Sequence, residues 1–518
     1  MEKLILTFDC GTQSTRAMLY NDKGELVAKI KEPLTPYFSL QEGWAEQEPE
    51  MYIEKLCSAS QKLKAENEDI WNNIVAVSVT TMRDVGICLD KDRKPLRPCF
   101  IWLDRRKAQC PDKTAPLTRF ITSIAGVRRV YEENRKAAKY NWIKENEPEI
   151  WAKTDKYVMY STYLNYFLTG NLVDSIASTI GHIPINYKKR KWVNPKATML
   201  VPFKLEQDKL YDLVYAGEEI GKITKEASRL TGIPEGLPLI ASGSDKGCET
   251  LGVGAINEDV ASVSFGTTAT IQLSTKKYIE PVLFVPAYPA VHRDRYNPEL
   301  IVYRGYWTLT WFIEEFVKRF YPNDECPICE KNLDDLILEI EPGCDGLYVE
   351  PYWSPSIKRP EARGAMIGFN ERHTVAHIYR AIIEGISFTL LQGKLAMEKK
   401  TKIPVKKVMV SGGGAQSHIV CQITADIFGL PVQRVQTYET SGLGAAISAF
   451  VGIGHYPSYE SAIENMVHVS KEYLPNKENH EKYKAIYEEV YVKSYPRLKP
   501  IFKSIEKVRA KHFPYDDK

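Results

Sequence analysis

The stretch LILTFDCGTQSTR, residues 4–16, decides the fold of this chain, and ASVSFGTTATI, residues 261–271, repeats its pattern. Each copy begins with a β-branched, apolar run, breaks at a glycine and continues through threonines into another apolar run. This composition predicts a strand, a tight turn and a second strand. When the copies are aligned on Gly11 and Gly266, Asp9 in the first copy corresponds to Ser264 in the second.

Both turns have the composition of a phosphate-binding loop. Glycine lets the backbone approach a ligand closely, and the amides that follow can converge on an anion. A carboxylate in only one copy suits a metal ion, whereas the other copy offers neutral donors. We therefore expect two similar halves around one nucleotide polyphosphate.

The bulk composition is that of an ordinary two-domain globular protein. The 518 residues exceed what one hydrophobic core usually supports, and 44% are hydrophobic and 26% charged. A net charge of +3, spread along the chain, gives no electrostatic case for nucleic acid. The start lacks the pattern of a signal peptide, and no apolar run reaches membrane-spanning length. These features predict a cytoplasmic protein that binds neither nucleic acid nor membrane.

The ten cysteines are scattered, which fits reduced thiols. Cys326 and Cys329 have metal-ligand spacing and Cys344 follows, but a structural zinc wants four ligands and no second close pair is present. His373 and His377 lack the glutamate of a zinc-protease motif. We expect these two histidines to lie at a helix start, with Thr374 as its cap.

Alternating strand and helix patterns divide the chain into three parts. We expect a first domain at residues 1–256, a second at 257–470 with a hinge near 254–259, and a helical tail at 471–518. The tail has helical spacing and is expected to lie on the surface and to return to the first domain. Predicted helices cover residues 47–66, 377–399 and 417–428, and the region 105–156 is expected to be mainly helical. Predicted strands outside the two hairpins cover residues 73–81, 85–89, 238–244 and 407–410.

Four motifs, in this order, resemble those of the FGGY carbohydrate kinases. They are FDCGTQSTR at residues 8–16, SGSDKG at 242–247, SFGTTAT at 264–270, and VSGGGAQSHIVCQITADIFGLPV at 410–432. The resemblance implies an α/β fold of two ribonuclease H-like (actin-like ATPase) domains with a nucleotide cleft between them. It also implies ATP and Mg²⁺ as cofactors and a small sugar or polyol as the substrate. Dimers are usual in the family, so a homodimer is one open alternative.

The nucleotide residues are predicted from the two turns and from the glycine-rich segment. Three glycines between a strand and a helix let a base or ribose lie against the backbone, although a flexible turn would give the same pattern. The resemblance assigns this segment to adenosine. The predicted nucleotide-binding residues are Gly11, Thr12, Gln13, Ser14, Arg16, Gly266, Thr267, Thr268, Gly413, Gly414, Ala415 and Gln416.

Asp245 is the predicted catalytic residue. Phosphoryl transfer to an alcohol needs a group that takes the hydroxyl proton, and a carboxylate after a short buried strand is well placed for this task. The resemblance makes Asp245 the general base, although aspartate before a helix is often only an N-cap. Asp9 is predicted to hold magnesium through water, with Asp245 as the second carboxylate near the metal. The alternative for Asp9 is a turn-stabilising role.

The acceptor pocket is predicted to contain Arg83, Asp84, Trp102, Asn134 and Lys246 beside Asp245. An arginine next to an acid can grip vicinal hydroxyls, and a tryptophan can cover a carbon face. A surface ion pair and a core aromatic are the alternatives.

Two departures from the pattern of glycerol kinases leave the acceptor open. Asn134 stands where those enzymes have a pocket tyrosine, and Lys246 replaces a glutamine. A lysine there would suit a carboxylate or point away. The acceptor class therefore remains open among ketoses, polyols and sugar acids. Two alternatives to a kinase are an ATPase that transfers no phosphate and a sugar sensor, which should have lost Asp9 or Asp245.

Overall fold

Two six-stranded β-sheets carry the two glycine turns, one in each half of the chain. The computed structural model describes residues 2–110, 114–194, 201–281, 285–320, 330–354 and 359–513. The strands of the first half are β1 (Leu4–Cys10), β2 (Ser14–Asn21), β3 (Leu26–Pro33), β4 (Glu46–Gln47), β5 (Ile74–Thr81), β6 (Gly86–Leu89), β7 (Cys99–Phe100), β8 (Lys156–Met159), β9 (Val173–Ser175), β10 (Ile185–Asn186), β11 (Lys191–Trp192), β12 (Asp212–Val214), β13 (Glu219–Lys222) and β14 (Pro238–Ile240). Those of the second half are β15 (Val260–Phe265), β16 (Ala269–Gln272), β17 (Tyr288–Pro289), β18 (Tyr296–Asn297), β19 (Glu299–Val302), β20 (Tyr348–Glu350), β21 (Ala365–Ile367), β22 (Lys407–Ser411), β23 (Val432–Val435) and β24 (Val469–Tyr473).

Helices cover the faces of both sheets. They are α1 (Pro49–Glu66), α2 (Glu68–Trp71), α3 (Pro116–Ile124), α4 (Arg128–Ala137), α5 (Lys139–Asn146), α6 (Pro148–Lys153), α7 (Tyr160–Thr169), α8 (Lys225–Thr231), α9 (Asp245–Gly252), α10 (Trp307–Phe316), α11 (Glu330–Ile337), α12 (Val375–Thr401), α13 (His418–Phe428), α14 (Thr440–Gly452), α15 (Tyr459–Met466), α16 (Lys477–Ile486) and α17 (Val492–His512). The predicted helices agree with α1, α12 and α13 within a few residues, and the region 105–156 contains four short helices, α3 to α6.

The two sheets have the same topology. In the first sheet the order is β13-β14-β5-β1-β2-β3, and in the second it is β24-β23-β22-β15-β16-β19. In each sheet three strands are parallel, namely β14, β5 and β1 in the first and β23, β22 and β15 in the second. The strands β2 and β16 run antiparallel to them on one side, followed by β3 and β19, which reverse direction again, and the edge strands β13 and β24 run antiparallel to them on the other side. The chain is thus a structural duplication, and the predicted fold of two ribonuclease H-like domains is confirmed.

Each sheet has its own hydrophobic core. All seven residues of β1 and all six of β15 are buried, as expected for strands covered on both faces. In the first domain α1 packs on β2 and β3, and α7 packs on β5. In the second domain the long helix α12 packs on β16 and β19.

A third core lies between the domains, where α9 crosses α14. A Cβ on Gly252 would overlap the carbonyl oxygen of Thr440, and a Cβ on Gly444 would overlap that of Cys248. Glycine therefore allows the backbones of the two helices to touch. The close crossing fixes α9, which carries Asp245, against the second half of the chain.

The chain passes between the two sheets three times rather than only near residues 254–259. The first passage leads from α9 to β15, the second from β23 to α14, and the third from α15 to β24. Val253 and Ala255 are fully buried at the first passage. Since α14 and α15 pack beside the first sheet, the predicted second domain, residues 257–470, does not lie wholly on the second sheet.

The C-terminal tail belongs to the second domain. Residues 471–473 are part of β24, which completes the second sheet, and only the following residues are helical. The Tyr483 hydroxyl donates to Glu384 of α12 at 2.7 Å, and the Tyr491 hydroxyl donates to Thr389 at 2.9 Å. The expectation that the tail returns to the first domain is therefore wrong, because its tyrosines are buried against α12.

The remaining predictions concern the start of α12, the cysteines and membrane-spanning segments. Thr374 is the N-cap of α12, and its backbone N–H donates to Nδ1 of His377, which confirms the predicted helix start. Cys326 and Cys329 lie outside the described residues, and Cys344 is a buried free thiol. Among the described residues, no helix is both long and apolar enough to cross a membrane.

Candidate active site

The two glycine turns lie at corresponding ends of the two sheets. In the first turn the Gly11 amide donates to the Ser14 carbonyl at 3.0 Å, and Gln13 is exposed at the tip. In the second turn Thr267 is the exposed residue. The carbonyls of Gly266 and Thr267 accept bonds from the first amides of the α10 region at 3.2 and 3.4 Å. Backbone and hydroxyl donors are thus presented at the ends of both central strands.

Asp9 and Arg16 form an ion pair beside the first turn. They face each other across the β1–β2 ladder, with Arg16 Nη1 2.9 Å from Asp9 Oδ2. Arg16 Nε also lies 3.6 Å from Glu439, the residue before α14. Burial raises the pKa of Asp9 to about 6 against the attraction of Arg16, and the negative charge of Asp245 adds to the rise. Asp9 and Asp245 are therefore close enough for each to oppose ionisation of the other.

Asp245 is the first residue of α9, and Ser244 is its N-cap. The Ser244 hydroxyl accepts the Gly247 amide at 3.3 Å, so the capping role that was the alternative for Asp245 belongs to its neighbour. Two hydroxyl groups hydrogen-bond the preceding loop to β5. Ser242 donates to the Val79 carbonyl at 2.6 Å, and Thr80 donates to the Gly243 carbonyl at 2.9 Å. The Asp245 side chain is thus not needed to cap α9.

The surroundings of Asp245 suit a proton acceptor. Its side chain is 30% exposed, and Oδ1 accepts the Lys246 amide at 2.8 Å. Arg83 Nε lies 3.9 Å from the same oxygen. Burial raises the pKa of Asp245, and the positive charges of Arg83 and Lys246 oppose this rise. The carboxylate thus holds a proton more readily than an ordinary aspartate while remaining accessible.

Arg83 forms an ion pair with Glu299, a residue of the second sheet. Glu299 was not among the site residues predicted from the sequence. Nη1 and Nη2 donate to the two Glu299 oxygens at 2.7 and 2.9 Å, and the Glu299 side chain is 1% exposed. The guanidinium also lies 5.4 Å from the Tyr288 ring centroid. Arg83 is therefore not a surface ion pair with Asp84, because its partner comes from the other half of the chain.

Asp84 is paired with His182, the second residue that sequence reasoning missed. Asp84 has a left-handed backbone (φ 60°), and its carboxylate accepts the His182 amide at 2.9 Å and the Nδ1–H of the His182 ring at 2.6 Å. The pKa of Asp84 is lowered, because these bonds and the His182 charge outweigh the effect of burial. No periodic or motif signal marks Glu299 or His182 in the sequence, since both contacts span about 100 residues or more.

Trp102 contacts the first glycine turn, whereas Asn134 makes a hydrogen bond within its own helix. The Trp102 indole N–H donates to the Thr12 hydroxyl at 2.9 Å, which links the predicted acceptor pocket with the first turn. Asn134 lies in α4, and its amide donates to the Val130 carbonyl one turn earlier at 2.9 Å. This hydrogen bond uses the Asn134 side-chain amide within α4. The structure therefore gives no support to the prediction that Asn134 contacts the sugar substrate.

Lys246 points toward the second turn. Its ammonium donates to Glu249 at 2.7 Å and to the Ser264 hydroxyl at 2.7 Å, and it lies 3.9 Å from where a Cβ on Gly266 would stand. The Ser411 hydroxyl binds the other Glu249 oxygen at 2.5 Å. Ser264 is the counterpart of Asp9, so Lys246 supplies to the second turn the positive charge that Arg16 supplies to the first.

The glycine-rich segment follows β22 and faces open space at one position. Gly412 has φ +82°, which favours glycine, and a Cβ on Gly414 would meet the Tyr306 ring at 2.6 Å. No described heavy atom lies within 4 Å of a Cβ on Gly413. Ala415 is buried, and its carbonyl accepts from Arg434, whereas Gln416 is exposed. A ligand at this segment would therefore meet Gly413 and the Gln416 side chain rather than that of Ala415.

Two duplicated ribonuclease H-like domains with a phosphate-type turn on each define a two-domain phosphotransferase of the actin-like ATPase fold. The models of the FGGY family of carbohydrate kinases match the chain, the N-terminal domain over residues 4–252 and the C-terminal domain over residues 261–453. The chain belongs to this family and is a carbohydrate kinase.

Relatives and solved structures agree with this assignment. The chain is 29% identical to an uncharacterised sugar kinase of Escherichia coli (strain K12), over 94% of this chain and 92% of that one. It is 28% identical to a xylulose kinase of Lactococcus lactis, over 93% and 95%. Its fold resembles a xylulose kinase from Rhodospirillum rubrum (TM-score 0.82, 24% identity, 97% and 100% covered). It also resembles a gluconate kinase from Lactobacillus acidophilus (TM-score 0.81, 22% identity, 98% and 100% covered).

Proposed function

We propose that the chain transfers the γ-phosphoryl group of ATP to a hydroxyl of a small sugar or polyol, with Asp245 as general base. The observation that supports this proposal is the partly exposed Asp245 carboxylate, whose charge acts on Asp9 beside the first turn and whose neighbour Lys246 binds Ser264 before the second, while Ser244 takes the capping role. As the acceptor oxygen attacks the γ-phosphorus, its proton moves to Asp245, the bond from phosphorus to the β,γ-bridging oxygen breaks, and ADP leaves. Tuning of the Asp245 pKa by burial suits this task.

The two turns and the glycine-rich segment would hold the nucleotide. Amides and hydroxyls at residues 11–14 and 266–268 are placed to bind the phosphates, and Gly413 offers open backbone surface to the adenosine. Arg16 and Lys246 would place one cation beside each turn. A bound triphosphate would then lie between two similar walls.

Mg²⁺ fits the carboxylates of Asp9 and Asp245. Burial raises the pKa of both groups because it disfavours the ionised carboxylates, and a nearby cation would stabilise the ionised form. Among the described residues, no group of three or more His, Cys, Asp and Glu side chains forms a metal cage. Magnesium is commonly held by one or two carboxylates, waters and substrate phosphates, so this donor set fits. Bound there, the ion would neutralise phosphate charge.

The acceptor would lie beside Asp245, between the Arg83 and Asp84 loop and Trp102. Asp84 can accept bonds from sugar hydroxyls, and the Trp102 ring can cover a carbon face. The link from Trp102 to Thr12 ties this surface to the first turn. The acceptor hydroxyl would thereby be held next to both the base and the phosphate-binding backbone.

A coupled assay of ADP release, with and without single acceptors, tests the proposal. Pentuloses, hexuloses, polyols and aldonates form the panel. A kinase releases ADP slowly alone and faster with its acceptor, and the product must carry one phosphate per ADP formed. A rate that no acceptor stimulates, or ADP formed without a phosphorylated sugar, would favour an ATPase and contradict the proposal.

A further inference from the structure

The charges around Asp245 distinguish neutral acceptors from anionic ones. We infer that the acceptor of this kinase is an uncharged sugar or polyol and not a sugar acid. This inference rests on the proposed function, since it concerns the acceptor of the same reaction. The sequence left the substrate open among ketoses, polyols and sugar acids, with Lys246 as a candidate partner for the carboxylate of a sugar acid. The inference removes the sugar acids from this set.

The charge of Arg83 is already matched by a buried carboxylate. Both terminal nitrogens are used by Glu299 in a bidentate pair, one face lies near Tyr288, and Nε faces Asp245. The two ends of this pair come from different halves of the chain, and Glu299 is almost completely buried. A substrate carboxylate would have to compete with Glu299 for this charge, and displacing Glu299 would leave a buried negative charge unpaired.

The two lysines near the site are also engaged. Lys246 is held by Glu249 and Ser264 on the phosphate side. Lys139, whose charge is felt by Asp84, donates to the Asp104 carboxylate and to the carbonyls of Asp104 and Arg106, at 2.8–3.0 Å. Three acceptors use the three donors of its ammonium.

Each cation described around Asp245 has an acidic partner. Arg83 is paired with Glu299 and His182 with Asp84, and the Asp245 carboxylate adds a negative charge that it would share with Mg²⁺. His182 already donates Nδ1–H to Asp84. Carboxylates accept bonds from sugar hydroxyls but repel another carboxylate, so the pocket favours a polyhydroxy compound without charge.

Two further arginines lie away from this group. Arg105 is exposed, and the Arg304 guanidinium lies over the Trp307 ring, 4.5 Å from its centroid. Arg304 lies two residues beyond the end of β19, and four residues, 300–303, separate it from Glu299 by on the order of 10 Å or more along the chain. Neither arginine is among the charges that shift the pKa of Asp245, which are those of Arg83, Lys246 and Glu249.

Pairs of acceptors with equal carbon number test the inference in the wild-type enzyme. D-xylulose and xylitol are compared with D-xylonate, and D-fructose and D-sorbitol with D-gluconate, by acceptor-stimulated ADP release. We expect a neutral compound to give kcat/KM at least 100-fold above any aldonate. If an aldonate is the best acceptor, the inference is overturned while the proposed kinase function stands. If neither class stimulates ADP release, both fail.

Glu299→Gln tests the physical cause. Removing the Glu299 charge frees the charge of Arg83, so the ratio of aldonate to neutral kcat/KM should rise at least tenfold. In the double variant Arg83→Gln with Glu299→Gln the rise should disappear, because no cation remains. Since both readouts are ratios, a general loss of activity does not imitate the effect. An unchanged ratio in folded Glu299→Gln protein would overturn the assignment of selectivity to this pair.

Discussion

At the scale of single residues, the two halves of the cleft differ in charge while their backbones match. The first turn has the Asp9–Arg16 pair, and the second has Ser264 with Lys246 and Glu249. One wall thus offers a carboxylate for a metal, and each wall offers one cation. Under the proposed function, this asymmetry would let a duplicated fold bind a triphosphate that has two chemically different ends.

Asp9→Asn should abolish magnesium-dependent turnover and stabilise the metal-free fold at neutral pH. The folded-state pKa of Asp9 is raised from 3.8 to about 6, so the stability that this group contributes is present at low pH and is lost as the pH rises from about 4 to about 6. Ionisation above that window costs up to about 3 kcal/mol. Thermal unfolding without metal should therefore show a higher Tm for Asp9→Asn than for wild type at pH 8, and a smaller difference at pH 4.

Saturating magnesium provides the control for Asp9→Asn. It should raise the Tm of the wild type and leave the variant unchanged. A variant that is less stable than wild type at pH 8 without metal would contradict the predicted cost of the buried charge. Unchanged magnesium dependence of turnover would show that the metal is held elsewhere.

Lys246→Met should weaken binding of the triphosphate and spare adenosine. A hydrogen bond to a charged group is worth roughly 1.5–3 kcal/mol, so Kd for ATP should rise about tenfold or more. Calorimetry with ATP and with adenosine separates a phosphate contact from a general loss of structure. Lys482→Met, which removes an exposed lysine paired with Glu341 and Glu478, is the matched control. Equal losses for ATP and adenosine would mean that Lys246 is only structural.

The sequence predicted the residues that lie in local motifs and missed their distant partners. Asp9, Asp245 and the two turns could be found because each occupies a fixed place in a strand–turn or strand–helix pattern. Glu299 and His182 could not, because their importance comes from contacts with Arg83 and Asp84, from which they are distant in the sequence. The position of Lys246 could not be predicted either, since its partner Ser264 belongs to the other sheet.

At the scale of elements, the duplication puts the two proposed substrate-binding segments after corresponding strands of the two sheets. The acceptor loop with Arg83 and Asp84 follows β5, and the glycine-rich segment follows β22, which is the corresponding strand of the second sheet. Helices α9 and α14 also correspond, each following the outer parallel strand of its sheet. As we propose, the same structural position binds the acceptor in one half and adenosine in the other.

Gly413→Ala should leave the fold intact and weaken nucleotide binding. A methyl group at this position meets open space, so Tm should stay within about 2 °C of wild type. The same methyl would occupy the surface proposed for adenosine and raise KM for ATP about tenfold, a cost of 1–3 kcal/mol being usual for an overlap. Gly414→Ala is the matched comparison, because its Cβ would meet the Tyr306 ring and should lower Tm. Normal ATP affinity in Gly413→Ala would place adenosine elsewhere.

At the scale of the whole molecule, the sequence predicted two domains with the correct fold but not how they interlock. Each hairpin and central strand could be predicted from its local apolar pattern. The crossing of α9 and α14 and the return of the chain in β24 could not, because they depend on glycine contacts and sheet edges brought together over about 200 residues. The three passages between the sheets are short, and any movement of the domains must bend all three together.

The two domains should close further when both substrates bind. The proposed nucleotide contacts lie on both walls and the acceptor contacts mainly on the first, so closure would bring the γ-phosphate to the hydroxyl and expel water. Small-angle scattering should show a smaller radius of gyration with acceptor and a non-hydrolysable ATP analogue together than with either alone. Profiles that are identical in all four states would contradict closure.

The central claim is transfer of phosphate to a sugar hydroxyl through Asp245, and direct detection of the product by mass spectrometry tests it. Wild-type enzyme with Mg-ATP and a neutral acceptor should form one sugar phosphate for each ADP. Asp245→Asn should form it about 10²–10⁴ times more slowly while its Kd for ADP stays within about threefold of wild type, since a positioned general base is worth a factor of this size. ADP without any sugar phosphate, or transfer by Asp245→Asn within tenfold of wild type, would contradict the claim.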